Sequence, residues 1–163
     1  MNGWWIDSPH VLGSDNPTTA ELEQLREEGF EVLISLLREE EQATNYDVAA
    51  AQEMGFIRHS IPVRDFNPPT VEQLMDFIGI IEELAEETKI IIHCQAGIGR
   101  TGTFAAAYCI AKGMTIADAI DFVRKARWHA IQTSEQEAVL DKFAIRYAAR
   151  KQRPSEQEIL KIL

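Results

Sequence analysis

The chain has 163 residues, 45% of them hydrophobic, and carries 26 acidic against 16 basic residues for a formal charge of −10. That length and apolar content suffice for one core. The negative field disfavours nucleic acid or a membrane as partner, so an anionic ligand needs a focused basic site. Two cysteines, Cys94 and Cys109, are too few for the disulfide framework of a small secreted module, and the opening MNGWWIDSPH has no charged leader before an apolar signal core. No apolar run is long enough to span a bilayer. The expectation is a soluble, cytoplasmic monomer.

In chain order, strand-like apolar runs alternate with capped, helix-periodic segments, the pattern of an α/β layer fold. Trp4, Trp5 and Ile6 are expected to form an edge strand whose indoles cover the core. Thr18 with Glu21 caps a helix that Gly29 ends, and Phe30–Leu36 follows as a β-rich segment. Residues 56–63 read as the next strand. Thr70 and Gln73 form a capping box ahead of Val71, Leu74, Phe77, Ile78, Ile81 and Leu84, which recur at helical spacing. Lys89–His93 reads as a buried strand, because three successive isoleucines leave no solvent face. Thr115 with Asp118, Thr133 with Gln136, and Ser155 with Glu158 mark helix starts in a mostly helical second half.

The stretch from His93 to Gly102, HCQAGIGRTG, sets a thiol and a guanidinium around a nearly bare backbone. A loop between a strand and a helix N-terminus presents unpaired N–H groups, and the helix dipole adds positive charge, so Gln95, Ala96, Gly97, Ile98 and Gly99 read as an anion cradle. The loop lacks the Gly-Lys-Ser/Thr ending of nucleotide-binding P-loops and the GxGxxG spacing of dinucleotide folds. Cys94 in such a setting is expected to ionise below the usual ~8.5 and act as a nucleophile. Arg100 can return a planar fork to the same centre and hold two phosphate oxygens. An inert buried thiol and a surface ion pair are the alternative readings of these two residues, and neither calls for the other or for the glycines.

These residues meet every defined position of H-C-x-x-G-x-x-R-[ST], through His93, Cys94, Gly97, Arg100 and Thr101, and the chain so resembles the cysteine-dependent protein tyrosine phosphatases. From Trp4 to Phe143 it looks most like the small atypical dual-specificity phosphatases. The resemblance implies a central, mostly parallel twisted sheet flanked by helices. One phosphatase domain is expected over residues 1–150, and residues 151–163, outside the resemblance, are expected to form a helical extension packed on or beside it.

A leaving oxygen needs a proton, so a carboxyl must reach the cradle. In a βαβ unit the loops leaving strands 56–63 and 89–93 emerge at one sheet edge. The first loop carries Asp65, which is the expected acid and sits at the distance from the cysteine that is usual in the resembled family. As structure alone, Asp65 nucleates a turn before Pro68 and Pro69. His93 is expected to fix the cysteine loop without moving protons, and Thr101 to stabilise the returning thiolate.

Residues 130–136 resemble the glutamine loop with which many tyrosine phosphatases orient water. Gln132 is the expected water partner, Gln136 the alternative, and a plain helix-cap neighbour the structural reading. Cys109 reads as core, with a resolving-thiol role as its functional alternative. His10, His59 and His129 show no spacing that would assemble a metal site, and no metal or cofactor is expected. The acidic run Glu39–Glu41 lies in a segment, Leu37–Tyr46, that could rim the pocket.

The implied reaction is hydrolysis of phosphotyrosine, with phosphoserine and phosphothreonine as further substrates, through a cysteinyl phosphate. Phosphoinositides are the rival substrates, although Gln95, Ala96 and Ile98 offer no loop cation to a multiply charged headgroup. An inactive phosphopeptide-binding module is the rival from another class.

Overall fold

The computed structural model describes residues 1–163. Along the chain run β1 (Gly3–Asp7), β2 (Val11–Ser14), α1 (Thr19–Glu27), β3 (Phe30–Leu37), α2 (Val48–Glu53), β4 (Ile57–Val63), α3 (Val71–Glu82) and β5 (Lys89–His93). Four helices complete it: α4 (Gly99–Ala111), α5 (Ile116–Ala126), α6 (Ser134–Lys151) and α7 (Glu156–Ile162). The five strands form one sheet in the order β1-β2-β5-β3-β4, antiparallel only between β1 and β2.

Strand alternation sorts the core into two layers. Ile90 and Ile92 of β5, with Val32, Ile34 and Leu36 of β3, face a 30-residue cluster shared with α3, α4, α5 and α6. Ile91 and Leu33 point the other way, into a 9-residue cluster closed by Leu22 and Leu25 of α1 and by Phe56. The three isoleucines are at most 3% exposed, as a central strand requires.

The capping residues read from the sequence set the helix starts. Thr18, Thr70, Thr133 and Ser155 each close a reciprocal capping box, and Thr115 accepts from Asp118 N–H without one. β2 and α2 carried too short a pattern to be read beforehand. Trp4 is buried on β1, whereas Trp5 points out and remains 42% exposed, because neighbouring strand residues take opposite faces. No residue from Lys151 to Leu163 is buried, and neither apolar cluster extends past Tyr147.

Because β4 and β5 both run parallel to β3, with Leu37 beside Val63 and Ser35 beside His93, their C-terminal ends share one sheet edge. The site is built there. No helix is long and apolar enough to cross a membrane.

Candidate active site

The turn from β5 into α4 runs through Cys94 to Ile98 and leaves α4 without a side-chain cap. The sulfur of Cys94 is 2% exposed with its residue and accepts from the Gly97 N–H at 3.3 Å and the Thr101 Oγ1 hydroxyl at 3.0 Å. Gly97 takes φ +69, and a Cβ there would meet the Ser14 and Asp15 backbone at 2.5 to 2.7 Å, so only glycine lets the loop pass this close to β2. A Cβ at Gly99 would run into the Gln132 amide.

Arg100 is the bulkiest fully buried side chain of the molecule, at 1% exposure. Its Nη1 donates to the Val63 carbonyl at 2.9 Å and its Nη2 to Gln42 Oε1 at 2.6 Å, while Nε is buried with no partner. A buried guanidinium N–H with nothing to bond is costly unless a ligand completes it. An oxyanion that accepts from Nε and from the remaining Nη2 hydrogen would do so.

Asp65 arrives on the loop after β4, and its Oδ1 lies 3.2 Å from Arg100 Nη2. Asp65 Oδ1 also accepts from the Phe66 N–H at 3.0 Å, the local turn contact expected of an aspartate at this place. Gln42 Nε2 donates to Asp65 Oδ2 at 3.0 Å, so one amide spans acid and base. Gln42 was not singled out from the sequence, although its segment was. A glutamine in an irregular loop carries no pattern, and only the fold brings it to the sheet edge.

His93 is wholly buried behind the cysteine. Its Nδ1 lies 3.3 Å from the Cys94 carbonyl, and its Nε2 lies 2.9 Å from the Tyr46 hydroxyl, which accepts from Arg58 Nε at 3.1 Å. A carbonyl only accepts, so the proton sits on Nδ1 and the Tyr46 O–H donates to Nε2. Burial drives the His93 pKa down to about 3, reinforced by the charges of Arg58 and Arg100, and the ring stays neutral. Arg58 pairs in turn with Glu39, the first residue of the acidic run. Tyr46 and Arg58 gave no signal in the sequence either.

Gln136 is fully buried and committed to backbone: its Oε1 accepts from the Gln132 and Thr133 N–H groups, and its Nε2 donates to the Asn67 carbonyl of the acid loop. The Gln132 side chain is exposed and lies over Gly99 at the loop mouth. Of the two glutamines, Gln132 alone has an amide free to hold a water. Cys109 sits in the core at 3% exposure, its thiol pushed up to about 11 chiefly by burial.

A cavity of about 530 Å³ lies at the starts of β2 and β5, against Val11, Ile90, Tyr108 and Tyr147, and none of Cys94, Arg100 or Asp65 lines it. Its size does not make it the reactive centre, because it holds no nucleophile. No cluster of three or more His, Cys, Asp or Glu side chains comes together as a metal site.

A family described as "Tc-R-P: Polymorphic toxin system, DSP-PTPase phosphatase" matches residues 10–114, which include both loops of the site. The chain is 30% identical over 140 residues to protein tyrosine phosphatase type IVA 2 of Mus musculus, covering 84% of this chain and 83% of that protein. It is 31% identical over 150 residues to protein tyrosine phosphatase domain-containing protein 1 of Bos taurus, across 81% of this chain. That match spans 19% of the relative, and the same protein of Mus musculus is spanned to 20%, about a fifth of their length. Among solved structures, Tk-PTP in the active form superposes with a TM-score of 0.79 at 31% identity, over 88% of this chain and 97% of that one.

Proposed function

Because the chain belongs to the cysteine-based protein tyrosine and dual-specificity phosphatases, a family of hydrolases, we propose that it dephosphorylates proteins at phosphotyrosine, and at phosphoserine and phosphothreonine, through a cysteinyl phosphate. The observation that carries the reading is the sulfur of Cys94 under two donors, beside a buried guanidinium whose Nε has no partner.

In the first step the Cys94 sulfur attacks phosphorus, an S–P bond forms, and the P–O bond to the substrate breaks. Asp65 gives its proton to the departing oxygen. The loop N–H groups and Arg100 neutralise the equatorial oxygens, where preorganised donors act most strongly. In the second step the Asp65 carboxylate takes a proton from a water held by Gln132, the water oxygen attacks phosphorus, and the thiolate leaves under the Thr101 hydroxyl. The products are the dephosphorylated side chain and inorganic phosphate. His93 keeps the strand end in register and transfers no proton.

The side chains of Gln95, Ala96 and Ile98 add no cation to the cradle, which supports a singly phosphorylated protein side chain over an inositol polyphosphate. The setting we propose is cytoplasmic. The test is hydrolysis of an aryl phosphate with a chelator present. Wild type is expected to turn over and to be blocked by vanadate, and Cys94→Ser to be inactive. Turnover by Cys94→Ser would remove the mechanism, and a strong preference for phosphoinositides over phosphotyrosine peptides would remove the substrate assignment.

A further inference from the structure

A phosphate cradle works only if its peptide N–H groups face the anion and its carbonyl oxygens do not. In a trans peptide the C=O of one residue and the N–H of the next point in opposite directions, so holding a carbonyl outward aims the following N–H inward. Four successive carbonyls of this loop are held from outside. The Gln95 oxygen accepts from the Asn16 N–H at 3.1 Å, and the Ala96 oxygen from Arg127 Nη2 at 3.4 Å. The Gly97 oxygen accepts from Trp4 Nε1 at 3.0 Å, and the Ile98 oxygen from the Gly102 and Ile131 N–H groups at 3.0 and 3.3 Å. The rule can be checked at one peptide: with the Ala96 oxygen tied back to Arg127, the Gly97 N–H turns to the Cys94 sulfur.

Two of these ties come from side chains that the reaction itself does not need. Trp4 is on the edge strand β1, buried to 7% exposure, and its indole N–H has this loop carbonyl as its partner. Arg127 caps the C-terminal end of α5 and reaches from there to the Ala96 carbonyl with Nη2. We propose that Trp4 and Arg127 are positioning residues for phosphate binding, acting through the Gly97–Ile98 and Ala96–Gly97 peptides to keep carbonyl oxygens out of the cradle. The inference rests on the reading of this loop as the phosphoryl site. It makes the edge strand part of that site, although no atom of β1 bonds to Cys94.

Trp4→Phe keeps an aromatic ring and removes the donor, and Arg127→Met keeps the aliphatic stem and removes the guanidinium. In the full chain, each is expected to weaken vanadate inhibition and to raise KM for an aryl phosphate about 3- to 10-fold, the effect of one lost hydrogen bond, with a smaller change in kcat. Arg127→Lys, which restores a charged donor, is expected to recover part of the loss. Thermal unfolding of each variant is measured alongside. Unchanged vanadate inhibition in both variants, with or without a lower Tm, overturns the proposal, and should Trp4→Phe not fold, Arg127→Met and Arg127→Lys decide it. A wild-type protein that neither hydrolyses aryl phosphates nor responds to vanadate removes the phosphatase reading instead.

Discussion

The Asp65 carboxylate lies 3.2 Å from the Arg100 guanidinium, and Gln42 bonds to both, giving its Nε2–H to Asp65 and receiving Arg100 at Oε1. A side-chain amide carries both a donor and an acceptor, so Gln42 can donate to the carboxylate and accept from the guanidinium at once. Asp65→Asn is expected to lower kcat about 10²- to 10⁴-fold on alkyl phosphates, whose leaving oxygen needs the proton, and much less on activated aryl phosphates. The basic limb of its pH–rate profile should vanish. Gln42→Glu, which loses the donor, is expected to cost about 10-fold in kcat/KM, read from steady-state kinetics.

The two thiols differ in surroundings, and chemical labelling should separate them. Cys109 is held at about 11 by burial and stays protonated at neutral pH. Brief iodoacetamide treatment near pH 7 should therefore give one adduct, mapped to Cys94 by peptide mass, with none in Cys94→Ser and protection by vanadate. Equal labelling of both cysteines would contradict the site described.

His93 gives a stability prediction with a definite sign. Its pKa falls from the ordinary 6.5 to about 3 in the folded protein, so between those values the unfolded chain binds the extra proton. The contribution of this group is fully present above about pH 6.5 and is lost progressively as pH falls toward 3. Tm measured from pH 7 to pH 4 should decline, and the decline should be shallower in His93→Gln, which cannot titrate.

The α7 segment predicts an indifferent truncation. Residues 154–163 are all exposed, including Ile159, Leu160 and Ile162 of the helix and Leu163 after it. Removing residues 154–163 is expected to change Tm by less than about 2 °C and to leave kcat/KM unaltered, as for other surface changes. A fall above about 5 °C in calorimetry would mean that this helix docks on the body in solution.

Elements whose signals are local could be read from consecutive residues alone. Capping boxes at Thr18, Thr70 and Thr133 fixed helix starts because the partners lie three residues apart. The isoleucine run fixed a central strand because its residues have no polar face to offer. The spacing of Cys94 and Arg100 was legible for the same reason: one short loop carries both. The contacts of Gln42, Tyr46, Arg58 and Arg127 were not legible, and for Trp4 only its place on a core-covering edge strand was, since each meets its partner at a distance along the chain. No local pattern marks these contacts: the parallel pairing of β3 with β4 and β5 and the antiparallel return of β1 beside β2 bring Gln42, Tyr46, Arg58 and Trp4 to what they touch, and the end of α5 brings Arg127. Local hydrogen bonding and hydrophobic periodicity are written in consecutive residues, whereas contacts between distant loops exist only once the sheet has set which strand ends share an edge.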